Sequence, residues 1–233
     1  MNGTVGALRA VNPTSVVNLT VHGVGPAPRQ LDPDEDGTWV SVDRFERVLD
    51  AVTGRDDVVI TFDDGNASDV DIALPRLLDR KLTAEFFLPA GLLGQPGRLD
   101  YAGVRQLLRA GMSIGSHGWA HVNWRGLDPQ RARQEMVEAH RVLDELTGQR
   151  VTRVAVPFGS YDRHVLRRLR QAHVTRVYTS DGGRARPGSW LQSRNSLRHD
   201  LDAEWIDGVL NSVPPLPARM KKLAARTVKR MRG

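Results

Sequence analysis

The chain's 233 residues suffice for one domain with a substantial core, and 40% hydrophobic with 26% charged content is ordinary for a globular protein. The absence of cysteine excludes disulfides, thiolate metal sites and a cysteine nucleophile, and no run approaches the roughly 20 apolar residues of a membrane span. The net charge of +6 is concentrated in residues 218–233, which carry seven Lys and Arg and no acid and leave the rest at −1, a poor match to a uniformly basic nucleic-acid-binding domain.

Residues 1–9 lack a basic stretch followed by an apolar one, so no secretory signal is read and the expected location is cytoplasmic. Residues 16–21 read as a strand, and 27–38, rich in Pro, Asp and Gly, as a loop. Phe45, Val48, Leu49 and Val52 recur at helical spacing, predicting a helix over 42–52. A strand over 58–62, a helix over 71–80 despite Pro75, a strand over 84–88, a helix over 101–110 and a strand over 112–115 follow. Asp128 as N-cap and Pro129 in the first turn open the clearest helix, with Gly148 beyond its end. Then come a strand at 151–156, a helix at 162–172, a strand at 174–179 and a helix at 202–213. Pro214-Pro215-Leu216-Pro217 ends the domain. Repeated βα units of this length predict a single parallel barrel over 1–213, with a separate tail at 214–233.

Two strings lie where strands run out, the end of a parallel barrel at which active sites form. One is Thr61-Phe62-Asp63-Asp64-Gly65; the other is His117-Gly118-Trp119-Ala120-His121. Either alone has a plain reading: Asp-Asp-Gly is also a turn, and a His pair at i, i+4 can be two polar residues on one helix face. Together, one aspartate and two histidines supply three ligands with a position left open for water, as in a catalytic zinc site. The second aspartate stays free as a base. The residues alone do not say which aspartate does which.

These strings resemble motifs of the polysaccharide deacetylases, the NodB-homology domain of carbohydrate esterase family four. The first looks like its TFDDG motif and the second is similar to its H-x-x-x-H motif. Ala155-Val156-Pro157-Phe158-Gly159 resembles its R-x-P-[YF]-G motif with alanine in place of arginine. The resemblance runs from about residue 16 to about residue 209 and implies a distorted (β/α)7 barrel. It further implies a metal-dependent hydrolase that removes an N-acetyl group from an N-acetylated sugar, polysaccharide or glycoconjugate.

By that resemblance Asp63 is the general base, and Asp64, His117 and His121 bind a divalent metal: zinc, or cobalt, nickel or iron, all of which such a ligand set accepts. The Pro157, Phe158 and Gly159 turn shapes the oxyanion site, with the Phe158 N–H as donor. Arg153 and Arg194 are candidates to replace the arginine missing at Ala155; Arg153 faces the same side of its strand but at another depth. Leu197-Arg198-His199 is the late match to the family's leucine-histidine step, which makes His199 the candidate general acid. Asp181 and Trp190 are candidates for the acetyl pocket, and His22, at the end of the first strand, could face the same rim. Other readings are a deacylase of a small non-polymeric amide on this fold and a catalytically inactive carbohydrate-binding relative, the latter supported by Ala155. In the tail, Met220, Leu223, Ala224, Thr227, Val228 and Met231 recur at helical spacing among the seven basic residues. That pattern fits either a helix in peripheral contact with an anionic membrane or a closing helix packed on the barrel with its charges in water.

Overall fold

The computed structural model describes residues 14–31, 35–212 and 216–232. The start of the chain, and Pro214 and Pro215 at the expected domain end, lie outside them. Strand β1 (Val17–Val21) is the seam of a closed barrel. A short pair outside the barrel, β2 (Gly23–Val24) and β3 (Trp39–Val40), follows it. The barrel order then runs through β4 (Val58–Phe62), β5 (Ala84–Leu88), β6 (Ser113–Ser116), β7 (Arg153–Ala155), β8 (Arg176–Thr179) and β9 (Leu191–Ser196), and back to β1. All seven strands are parallel, so each connection must cross back along the outside. Helices α1 (Val42–Val52), α2 (Leu74–Asp79), α3 (Tyr101–Arg109), α4 (Pro129–Arg133) with α5 (Ala139–Thr147), and α6 (Arg163–Gln171) make those crossings. β8 and β9 are joined without a helix. The result is the expected (β/α)7 barrel in a single domain, distorted at the β8–β9 join.

Local sequence accounts for most boundaries. Ser41, Asp100, Asp128, Asp162 and Asp202 each cap a helix with a side-chain oxygen. Gly148 ends α5 in the left-handed region, at φ 69°. The helix expected over 71–80 differs in detail. A π-helical turn, Asp69–Ala73, comes first and runs directly into α2, with Pro75 in the first turn of α2 just after the π-helical residues. A second π-helical turn, Gln134–Glu138, links α4 to α5. Strand β9 was not expected from hydrophobic patterning, because Leu191-Gln192-Ser193-Arg194-Asn195-Ser196 has no apolar period. Helices α7 (Ala203–Asn211) and α8 (Leu216–Met231) close the chain.

The main apolar core fills the layer between strands and helices. There Phe62 stacks on Phe86 at 4.5 Å and meets Phe45 edge-on at 6.0 Å. The barrel interior is instead largely polar. Asn18, Thr20, Thr61, Gln192 and Arg194 are all buried and bonded in two groups: Asn18 Nδ2 donates to Gln192 Oε1, and separately Thr61 Oγ1 donates to Thr20 Oγ1 and Arg194 Nη1 to Thr61 Oγ1. Buried polar groups are tolerated only when satisfied in this way. The second group leads upward, through Arg194, to Asp63 at the C-terminal rim.

Candidate active site

Asp63 and Asp64 directly follow β4, and His117 directly follows β6. Each strand ladder runs one bond past its last residue, through Asp63 N–H to Val21 O (2.9 Å) and His117 N–H to Leu88 O (2.9 Å). These bonds set both strings at the same height on the rim. Asp64 then turns into the left-handed region (φ 75°), as does His121 (φ 52°). An Asp adopts that region more readily than most residues; for both it is strain of the kind found at functional sites.

The turns bring three ligand atoms together. Asp64 Oδ1 lies 3.4 Å from His117 Nε2 and 3.3 Å from His121 Nε2, and the three residues form one convergent cluster. Asp64 Oδ1 is buried without a hydrogen-bond partner. A tetrahedral ion with bonds of about 2.0–2.1 Å separates its ligand atoms by about 3.3–3.4 Å. The spacing and the orphaned oxygen therefore fit a divalent metal. His117 Nδ1 lies 2.8 Å from Ala155 O. That contact requires a proton on Nδ1 and leaves Nε2 free to ligate. Burial pushes the His121 imidazole down to about 4, more than its carboxylate neighbours restore, so it is neutral near pH 7. At Asp64 burial pushes upward, but the contact with His117 and the neighbouring imidazoles of His121 and His22 leave the carboxyl well below the ordinary range.

Asp63 faces the same space and is held differently. Arg194 Nη1 and Nη2 donate to its two oxygens at 2.7 and 2.6 Å, a bidentate pair buried on both sides. Burial raises the Asp63 carboxyl; the Arg194 guanidinium, then His117, outweigh this and hold it below its usual value. The guanidinium also lies over the rings of Phe87 (5.5 Å) and Tyr178 (5.8 Å), the two residues with which Ala155 packs in the interior. Alanine at 155 thus borders the space that an arginine from β9 occupies. Arg153 does not reach Asp63. It is the first residue of β7, at the opposite end of the barrel, and pairs with Glu85 at 3.2 Å.

The Pro157, Phe158 and Gly159 turn lies on the rim. It closes through Gly159 N–H to Val156 O and Ser160 N–H to Pro157 O, bonds in which the Phe158 N–H takes no part. Phe158 is in the left-handed region (φ 57°), and its ring packs on His121 at 4.5 Å. Asp181 also reaches the rim, where Tyr161, Thr179 and Lys229 donate to its carboxylate at 2.7, 2.9 and 2.7 Å. Trp190 does not join the site. It precedes β9 and so lies at the barrel's far end, bonded to Val174 O and stacked under Arg170. His199 is also outside. It is exposed, with its N–H on Gly37 O, beside a cavity of about 550 Å³ that none of the four motif residues lines.

Two site residues are not among the sequence candidates given a role. His22 follows β1 on the face that carries Asn18 and Thr20. It lies near enough to influence both Asp63 and Asp64 electrostatically, its Nδ1 is buried without a partner, and Asn66 Nδ2 holds its carbonyl at 2.7 Å. The alternation Asn18, Thr20, His22 was the available signal. Glu135, in the second π-helical turn, is buried and clamps the histidine loop: Oε2 accepts from Trp119 N–H (2.8 Å) and Trp124 Nε1–H (3.1 Å), and Oε1 from Ala120 N–H (3.1 Å). Gly118 must be glycine for this approach, because a Cβ there would lie 2.4 Å from Glu135 Oε2. Nothing in the sequence distinguishes Glu135 from a surface glutamate.

A closed parallel barrel with three convergent ligand atoms beside an arginine-held carboxylate on its C-terminal rim has the composition of a hydrolase site. The family model for polysaccharide deacetylases matches residues 50–177, and the chain belongs to that family. It is 28% identical over 141 residues to the protein YxkH of Bacillus subtilis, covering 60% of this chain and 50% of YxkH. It is 26% identical over 137 residues to the peptidoglycan-N-acetylglucosamine deacetylase of Bacillus cereus, covering 56% and 47%. The matched segments thus span about half the length of these curated relatives. Among solved structures, Streptococcus pyogenes deacetylase PplD superposes with a TM-score of 0.75 at 19% identity, covering 86% of this chain and all of PplD. BC0361, a polysaccharide deacetylase from Bacillus cereus, superposes with a TM-score of 0.73 at 18% identity, covering 84% and 68%. These last two likenesses speak for the fold.

Proposed function

We propose that the chain hydrolyses the N-acetyl group of an N-acetylated sugar, in a polysaccharide or glycoconjugate, with a divalent metal held by Asp64, His117 and His121. The observation that carries this reading is the geometry of that triad beside the Asp63–Arg194 pair. When bound, the metal lowers the pKa of a water and polarises the amide carbonyl.

The chain's own residues supply the rest. Asp63 takes the proton of the attacking water, kept ionised and aimed by Arg194, as a general base requires. The Phe158 N–H donates to the oxygen of the tetrahedral intermediate. The C–N bond then breaks, with acetate and an amine as products, and the departing nitrogen needs a proton. His22 is better placed than His199 to deliver it, because His22 shares the polar face that leads to Asp63. The inactive-relative reading rested on Ala155, and Arg194 makes good that loss. The decisive experiment is acetate release from a panel of N-acetylated oligosaccharides by chelator-treated protein, with and without added divalent metal. Metal-dependent release is expected. No release from any substrate under metal loading would sink the proposal.

A further inference from the structure

Helix α8 is amphipathic in an inverted sense. An amphipathic helix on a barrel ordinarily buries its apolar face and leaves its charges in water. Here two cations face inward: Arg226 Nη2 donates to Gly182 O, and Lys229 Nζ to Asp181 Oδ1 at 2.7 Å and to Gly159 O at 3.4 Å, with Nζ 5.4 Å from the Tyr161 ring centroid. A backbone bond, Arg163 N–H to Arg232 O (3.1 Å), ties the end of the helix to α6. The apolar residues point outward, with Met220 60%, Leu223 53%, Val228 52% and Met231 67% exposed. Only four other large hydrophobic residues are comparably exposed among the described residues, and one of them is Phe158 in the site turn that Lys229 touches. An apolar face of this kind, flanked by the exposed Lys221, Arg230 and Arg232, marks an interaction surface.

We propose that α8 is an interfacial helix that seats the barrel rim on an anionic lipid surface. The charge selects this occupant. Residues 218–233 contain seven Lys and Arg and no acid, so a second copy would bring like charge against like. A leaflet of anionic lipid is complementary to both the apolar stripe and the cations. From Met220 to Met231 the stripe is about 16 Å long, enough to lie in the interface; no described helix is long and apolar enough to cross a membrane. Since Lys229 joins α8 to Gly159 and Asp181, the contact places the site turn beside the lipid headgroups, where a substrate attached to or lying along the leaflet would be met. The inference goes beyond the reaction assigned to the site, and its test does not depend on activity.

The test is flotation of the full chain with vesicles of phosphatidylglycerol and phosphatidylcholine in equal parts, against vesicles of phosphatidylcholine alone, at low and high salt. Expected is binding at least tenfold stronger to the anionic vesicles and weakened by salt. The double variant Leu223→Glu, Val228→Glu should lose that binding while keeping the parent's melting temperature, because both side chains are exposed. A second variant, Lys221→Ser with Arg232→Ser, should lower the anionic preference and leave the apolar stripe intact. The proposal fails if neither vesicle is bound, if the two are bound equally, or if the substitutions change nothing. A dimer dissolved by Leu223→Glu, Val228→Glu would give the face to a second copy and equally overturn it.

Discussion

Glu135 makes a quantitative claim on the histidine loop. In Glu135→Ala three N–H groups lose their acceptor at once. The Ala120 N–H sits at an exposed residue and can turn to water. The Trp124 indole is buried and remains unmet, while the Trp119 N–H sits at a half-buried residue and is met by water only in part. At about 1–3 kcal/mol for an unmet buried donor and less for the half-buried one, the loss of stability comes to about 2–4 kcal/mol. Glu135→Gln keeps one oxygen, which can serve the two donors now on Oε2, and sacrifices mainly the charge assistance and the rehydratable bond, at about 1–2 kcal/mol. Because the loop carries His121, the same loss should weaken metal binding about 10–100-fold in the alanine variant, the usual range for groups that orient ligands. Urea unfolding of the metal-free protein measures the first effect and calorimetric metal titration the second, with glutamine between parent and alanine in both. If Glu135→Ala unfolded at the parent's midpoint and bound metal as tightly, the clamp would contribute nothing and the loop would be held by other means.

Other outcomes follow from the same geometry. Asp63→Asn should lower turnover by roughly 10²–10⁴ with metal still bound, whereas Asp64→Asn should lose the metal; metal analysis of the two purified variants exposes a reversed assignment. In Arg194→Met burial acts on Asp63 unopposed by the guanidinium, so its carboxyl rises and the acid limb of the pH–rate profile should move to higher pH; an unmoved limb would remove Arg194 from the mechanism. His22→Ala should slow amide hydrolysis far more than hydrolysis of an activated aryl acetate, whose phenolate leaves without a proton, and His199→Ala should affect neither. Equal effects of His22→Ala on the two substrates would leave the acid unassigned.

The parts of the fold that the sequence displays are those with a hydrophobic period. Val58-Val59-Ile60-Thr61-Phe62 and Ala84-Glu85-Phe86-Phe87-Leu88 abut the apolar layer and are readable at once. β9 lies against a polar interior, so Gln192, Ser193 and Arg194 carry no apolar signal even though they are buried. The strings around Asp63 and His117 were legible because they concentrate carboxylates and histidines, distinctive residue types, at short spacing. Arg153 and Arg194 were indistinguishable by type, and only depth along the barrel separates them. The left-handed turns at His121 and Phe158 leave no mark that would announce them, since neither is glycine; the one at Asp64 falls in the Asp-Asp-Gly string, which reads as a turn.

The Asp63–Arg194 bond spans 131 positions of sequence and crosses the seam at β1. A barrel closed by its last strand gains such long-range contacts only when the ring is shut, after the loop-closure entropy has been met. Until then a buried-to-be carboxylate has no cation, and the energetics that keep it ionised do not exist. A chain still emerging from the ribosome, or one whose final strand has peeled away, therefore carries all three candidate ligands, Asp64, His117 and His121, yet leaves the Asp63 carboxylate without its cation. On the proposed mechanism turnover would report on completion of the fold, and would be a finer gauge of seam integrity than metal content.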